Sequence, residues 1–168
     1  MAASGGILIS VGKGASGLGG AATVQAGSGS SGGPMRLFAG NGTQLCGGNL
    51  TLGAGRSVQG NGGSVVIHSG GSTSDMTHSR MGSGSVCVTT PDAPGRTGAL
   101  ELATGSSALK NAGSITLHTG DAPGASSGSI YINVGDATSG IGGDSIITAG
   151  HSCGEGGYGG AVDINAGM

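Results

Sequence analysis

The sequence predicts an all-β fold: a single-stack parallel β-solenoid (β-helix) of about eleven turns of ~15 residues each around a thin aliphatic core. Three observations predict it. Of the 168 residues, 42 are Gly. A nine-residue motif recurs along the chain, and two of its positions carry apolar residues that alternate with other residues. We therefore expect one repeat domain over 1–168, with an outward insertion at 71–82.

The composition argues against other classes of fold. With one Phe, two Tyr and no Trp, the chain lacks the large side chains of a conventional core. Frequent Gly weakens helices, by about 1 kcal/mol per residue relative to Ala. A collagen helix needs Gly at every third position, which SVVIHS at 64–69 breaks. Low apolar content favours disorder, but the Gly spacing is periodic and the net charge is only −2, which favours an ordered array.

The repeat motif has nine positions: small, Gly, any, apolar, any, apolar, any, small, Gly. Six of the ten intervals between its eleven copies are 15 residues long. The second position is Gly in every copy, and the sixth is always apolar. The copies begin at residues 4, 19, 32, 47, 62, 83, 97, 112, 127, 142 and 159.

The alternation of positions four to seven predicts one short strand per copy, with one face buried. Stacked at ~4.8 Å, these strands would place the sixth-position residues in one buried column. The segments between copies, called return segments below, share no apolar column and should form the thin side of each turn. The predicted buried column includes Ile9, Leu52, Ile67, Leu102, Leu117, Ile132 and Ile164.

The stretch GGNLTLGAGRSVQGNGGSVVIHSGG resembles the repeats of filamentous-haemagglutinin-type adhesins, which form parallel β-helices. The 15-residue form, as in SGSIYINVGDATSGIGGDSIITAG, is similar to Gly/Ser-rich repeats of large algal or protist surface proteins and of viral fibre proteins. These resemblances imply an extended structural role outside the cell, at the cell surface or on the virion surface. They imply no catalytic residues.

No arrangement of residues predicts catalysis or a cofactor. The three cysteines form no CxxC pair, and His68 and His118 would lie three turns apart, so we expect no enzyme, no cofactor and no metal site. Asp121 and Asp136 would lie on one ladder, which leaves calcium open as an alternative. There is no basic run for nucleic acid, no apolar stretch that could span a membrane, and no visible signal peptide.

Two sets of residues are candidates for contacts with partners. The insertion carries polar and flexible apolar groups that suit a contact loop, and a harmless surface loop is the alternative. The first and last copies would expose unpaired strand edges, so we expect end-to-end self-association or continuation into a longer array. The contact-loop candidates are Asp75, Met76, His78, Arg80 and Met81; the end-to-end candidates are Ile7, Ile9, Val162 and Ile164.

The predicted function is that of a non-enzymatic structural repeat protein, a segment of an extracellular or surface fibre, stalk or filament. Two alternatives stay open: an ice-binding solenoid and a receptor- or glycan-binding adhesin module. Ice binding requires a regular outward lattice, typically of Thr, and no copy has Thr at both its fifth and seventh positions.

Overall fold

The structure, a computed structural model, describes residues 5–14, 17–72 and 82–167. These ranges contain no helix and no strand. The chain divides into two units, Met1–Cys87 and Val88–Met168. Its accessible surface is 17192 Å². A chain of this mass exposes roughly 7,200 Å² as a folded monomer and roughly 22,500 Å² when unfolded, so most of the chain contacts solvent.

The predicted β-solenoid is wrong for the described residues. None of the side chains predicted to form the buried column is buried: Leu117 is 68% exposed and Ile132 is 72% exposed. The periodicity is nevertheless present in the structure, because motif copies without a turn or bend alternate with return segments that contain one wherever their interior is described. The sequence period therefore corresponds to a repeated loop and not to a repeated strand of a sheet.

Each return segment whose interior is described contains a turn or bend. These turns occupy 29–31, 43–45, 58–60, 94–95, 108–110, 123–125, 138–140 and 154–156, and a further bend lies at residue 17. Pro94 lies in one of them, and Pro123 and Gly124 form the centre of another, closed by the Ala125 N–H donating to the Ala122 carbonyl at 3.2 Å. Proline at the first central position of a turn supplies the φ that the turn needs.

The second residue of every return segment is small, and in seven of the segments whose interior is described it lies at the turn or directly before it. In two segments this residue is a Ser whose hydroxyl accepts an N–H from three residues further on: Ser57 Oγ from Gly60 at 2.8 Å, and Ser107 Oγ from Lys110 at 3.2 Å. Where it is Gly42, the carbonyl oxygens of Leu45 and Cys46 occupy the place of a side chain. A larger residue would obstruct the turn. The ten residues are Gly14, Gly29, Gly42, Ser57, Ser72, Ala93, Ser107, Ala122, Ala137 and Ser152.

The two ends of each return segment meet. The second-position Gly of each copy packs against the eighth-position residue of the copy before it, at all ten places where one copy follows another. We call each of these contacts a junction. Apart from Ala122 and Ser152, the partly buried residues of the described chain are eighth-position residues. They are Ala26, Ala39, Ser69 and Ala149.

The junctions are incompatible with the predicted stacked solenoid. In a stack, the second position of one copy lies beside the second position of the next, and extended copies would separate it from the eighth position by about 20 Å. The observed contact joins the end of one copy to the start of the next. Positions four and six therefore have no equivalent neighbour to cover them.

Candidate functional site

The junctions fall into two chemical classes. In five of them, the second-position Gly N–H donates to the ninth-position Gly carbonyl of the preceding copy at 2.8–2.9 Å. We call these bonded junctions. In each, the eighth residue is Ala or Ser. The donor and acceptor pairs are Gly33 and Gly27, Gly48 and Gly40, Gly63 and Gly55, Gly84 and Gly70, and Gly160 and Gly150.

The other five junctions, called separated junctions, lack this hydrogen bond among the described residues. In each of them the eighth residue is Thr or Val, and its γ-carbon faces the glycine. A Cβ placed on Gly113 would lie 3.6 Å from Thr104 Cγ2, and one on Gly143 would lie 3.0 Å from Val134 Cγ1. The eighth- and second-position pairs are Val11 and Gly20, Thr90 and Gly98, Thr104 and Gly113, Thr119 and Gly128, and Val134 and Gly143.

Each motif copy also presents exposed apolar side chains. Positions four and six share one face of an extended copy with positions two and eight, so they lie on the side of the junction. Position four is the better covered of the two in most copies: Ile130 is 53% exposed, against 72% for Ile132. Because even the better covered position keeps about half of its surface in solvent, nine of the eleven copies carry a large, exposed apolar pair.

The predicted contact loop lies outside the described residues. Asp75, Met76, His78, Arg80 and Met81 all fall there, so their role stays a prediction. The residues that flank the insertion are described, and they meet at the bonded junction of Gly84 with Gly70. The insertion therefore leaves and rejoins the chain at one point.

The predicted end-to-end residues resemble their equivalents in internal copies. Ile7 and Ile9 of the first copy are exposed, and so are Val162 and Ile164 of the last. Since the described residues contain no stacked strands, these residues do not cap an open stack. Their role in end-to-end association stays a prediction.

Among the residues that the structure describes, one cysteine lies close to a histidine. Cys46, Cys87 and Cys153 are free and exposed. His151 Nδ1 lies 3.2 Å from Cys153 Sγ, whereas His68 Nδ1 lies 3.2 Å from its neighbour's backbone carbonyl, at Ser69. Within the described ranges, no group of three or more His, Cys, Asp or Glu residues could hold a metal ion.

Sequence reasoning missed the roles of the eighth position and of the second residue of each return segment. The return-segment position has only small residues and the eighth position has small or β-branched ones, and such residues are so common in this chain that neither column stands out. A column of ten small residues with no large member was the available signal. The contact of His151 with Cys153 has no signal in the sequence, because the two residues match neither a metal-ligand spacing nor a CxxC pair.

No family model, curated protein or solved structure matches the chain. The resemblance to adhesin and surface-protein repeats therefore stays a prediction. The described residues contain no helix that is long and apolar enough to cross a membrane.

Proposed function

We propose that this chain is a non-enzymatic structural repeat protein, a segment of an extracellular or surface fibre, whose copies associate through their motif segments. The observation that carries the proposal is the apolar pair at positions four and six, which recurs in most of the eleven copies and stays largely in solvent. Burying one such side chain fully contributes about 1.5–3 kcal/mol. A pair repeated along the chain favours association even when each contact is weak.

The partner that fits this apolar surface best is another copy of the same chain. Because most copies are spaced by 15 residues, two chains aligned at one copy are also aligned at the next. The described backbone makes seven hydrogen bonds to itself, at the junctions and in two turns. A folded protein makes roughly one hydrogen bond per residue, so the extended copies keep donors and acceptors that a second chain can pair with.

The charge of the chain permits this association. Only 8% of the residues are charged, and the net charge is −2, so repulsion between copies is small. Exposed apolar residues with little charge between them favour self-association. A role as a soluble spacer would instead require a well-solvated, charged surface.

Sedimentation velocity across a concentration series tests the proposal, with infrared amide spectra recorded on the same samples. We expect assembly that rises with concentration, accompanied by a β-strand amide signal. The double variant Leu117→Asp with Ile132→Asp should raise the concentration needed for assembly by about tenfold, because each charge enters an apolar contact.

The matched control carries the same charges one residue away, as Thr116→Asp with Asn133→Asp. Its assembly should stay within about threefold of the unmodified chain, because these side chains lie on the other face of an extended copy. A chain that stays monomeric at millimolar concentration would contradict the proposal, and so would equal effects of the two double variants.

A further inference from the structure

The return segment 151–158 holds a thiol and an imidazole in contact. His151 Nδ1 and Cys153 Sγ lie 3.2 Å apart, within the limit for a hydrogen bond to sulfur. Both residues are exposed, while Ser152 between them is partly buried. In an extended stretch, residues two apart lie on one side and the residue between them on the other. The thiol and the imidazole therefore face solvent together.

The turn that follows limits the freedom of this segment. The Gly157 N–H donates to the Gly154 carbonyl at 3.0 Å, and Gly156 has a φ of 74°. Ser152 Oγ fills the place that a side chain on Gly157 would need. The segment is also closed at its ends by the bonded junction of Gly160 with Gly150. Three contacts thus join residues on the two sides of this loop around Cys153.

The other two cysteines provide a comparison within the same chain. Cys46 ends a return segment and Cys87 occupies the fifth position of a motif copy, and both are exposed. Among the described residues, neither thiol has a hydrogen bond to an imidazole. Differences in reactivity between the three thiols therefore report their immediate surroundings and not their access to solvent.

The geometry points to Cys153 as a nucleophilic thiol with His151 as its base, a site for exchange with small disulfides. The thiolate is the form of cysteine that attacks, and a neutral imidazole nitrogen in contact with the thiol can accept its proton. As the proton passes from Sγ to Nδ1, the sulfur bonds to one sulfur atom of the disulfide. The disulfide bond breaks, and its other half leaves as a thiolate, which takes up a proton. The products are a mixed disulfide on Cys153 and one free small thiol.

This inference is independent of the proposed function, because it rests on one return segment and not on the apolar motif face. It identifies a modification site. It does not make the chain an enzyme, since the reaction consumes the thiol and ends with the modified protein.

The test uses the full chain, reduced and at low concentration, with excess 2-hydroxyethyl disulfide. This probe is neutral, so charged residues near the three thiols neither attract nor repel it. Remaining thiols are blocked with N-ethylmaleimide at timed intervals, and peptide mass spectrometry gives a rate for each cysteine. We expect Cys153 to react about tenfold faster than Cys46 and Cys87, a modest effect for a positioned base in solvent.

The variant His151→Gln keeps a polar side chain but removes the base. It should lower the rate at Cys153 to within about twofold of the other two cysteines and leave their rates unchanged. The matched control is His68→Gln, which removes an exposed imidazole that contacts a backbone carbonyl. It should change none of the three rates. Equal rates for all three cysteines in the unmodified chain, or a fast Cys153 in His151→Gln, would overturn the inference.

Discussion

The two units of the chain contain the same motif but close it differently. In Met1–Cys87, four of the five junctions are bonded, and the exception is the junction of Val11 with Gly20. In Val88–Met168, four of the five are separated, and the exception is the junction of Ala149 with Gly160. In both units the class of a junction correlates with its eighth residue, and the exceptions obey the same rule. The bonded class has Ala or Ser at this position, and the separated class has Thr or Val.

The length of the return segment does not explain this difference. Gly55 and Gly63 are eight residues apart and bonded, whereas Gly105 and Gly113 are eight residues apart and separated. The bonded class also includes the much longer interval from Gly70 to Gly84. Closure is thus compatible with many loop lengths, as expected when the entropy of closing a loop grows slowly with its length.

The γ-carbon of the eighth residue explains the difference. In the bonded junction at Gly63, a Cβ on the glycine would lie 3.4 Å from both Ala54 Cβ and the Gly55 backbone nitrogen. In the separated junction at Gly113, the nearest atom is Thr104 Cγ2, and no backbone atom of Gly105 lies within 4 Å. A β-branched side chain places an additional carbon between the two backbones, which keeps the N–H from reaching the carbonyl.

The largest effect is expected in the bonded junction of the second unit. Gly156 has a φ of 74°, which is costly for a residue with a side chain, by roughly 1–2 kcal/mol. In Gly156→Ala the turn from Gly154 to Gly157 should open, and amide hydrogen exchange at Gly157 should accelerate by about tenfold. If the turn supports closure, exchange at Gly160 should accelerate as well.

Gly154→Ala is the control for that variant. Gly154 has no positive φ, and a Cβ there meets no atom within 4 Å. Exchange at Gly157 should change by less than about twofold, as expected for an exposed substitution of this kind. Equal acceleration in both variants would show that the φ of Gly156 is not what holds the turn.

A reciprocal exchange of eighth residues tests the cause of the two classes directly. Ala54→Val should convert a bonded junction to a separated one, because the added γ-carbons separate Gly63 from Gly55. Thr104→Ala should have the opposite effect at Gly113. A net hydrogen bond contributes about 1 kcal/mol, so amide exchange should accelerate about fivefold at Gly63 and slow about fivefold at Gly113.

The unaltered junction serves as the control in each case. In Ala54→Val, exchange at Gly48 should stay as it was, because its junction with Ala39 and Gly40 is intact. If Thr104→Ala leaves exchange at Gly113 unchanged, the β-branch is not the deciding feature.

The sequence predicted the period at which the chain turns, but not that the turns lie inside the return segments, nor which structure the period forms. The invariant glycines at the second position were read as corners of a coil, and each one instead meets the residue at the end of the preceding copy. The choice between stacking and loop closure depends on contacts between copies, which a pattern within one copy does not contain. Residues such as Leu117 fit both arrangements, buried in one and exposed in the other.

The candidate site was predicted in part. The apolar positions follow from alternation alone, but the described residues contain no strand, and the structure leaves these side chains uncovered. The two junction classes could not be predicted from the sequence. The difference between Ala and Thr at the eighth position affects a hydrogen bond of the partner glycine, and the sequence does not show which glycine that is. The contact of His151 with Cys153 depends on the conformation of one return segment, and no repeat pattern describes it.

The smallest effect is expected at the serine hydroxyls that start two of the turns, one in each junction class. Ser57 belongs to the return segment of a bonded junction and Ser107 to that of a separated one. Ser57 Oγ accepts the Gly60 N–H at 2.8 Å, and Ser107 Oγ accepts the Lys110 N–H at 3.2 Å. The shorter contact indicates the stronger hydrogen bond, and it occurs where the ends of the loop are joined.

Ser57→Ala should accelerate amide exchange at Gly60 about twofold, because an exposed hydroxyl bond contributes about 0.5 kcal/mol. Ser107→Ala should change exchange at Lys110 by less, because that bond is already long. If the two variants change exchange equally, closure of the junction does not tighten the turn inside it, and the two classes differ only where the glycines meet.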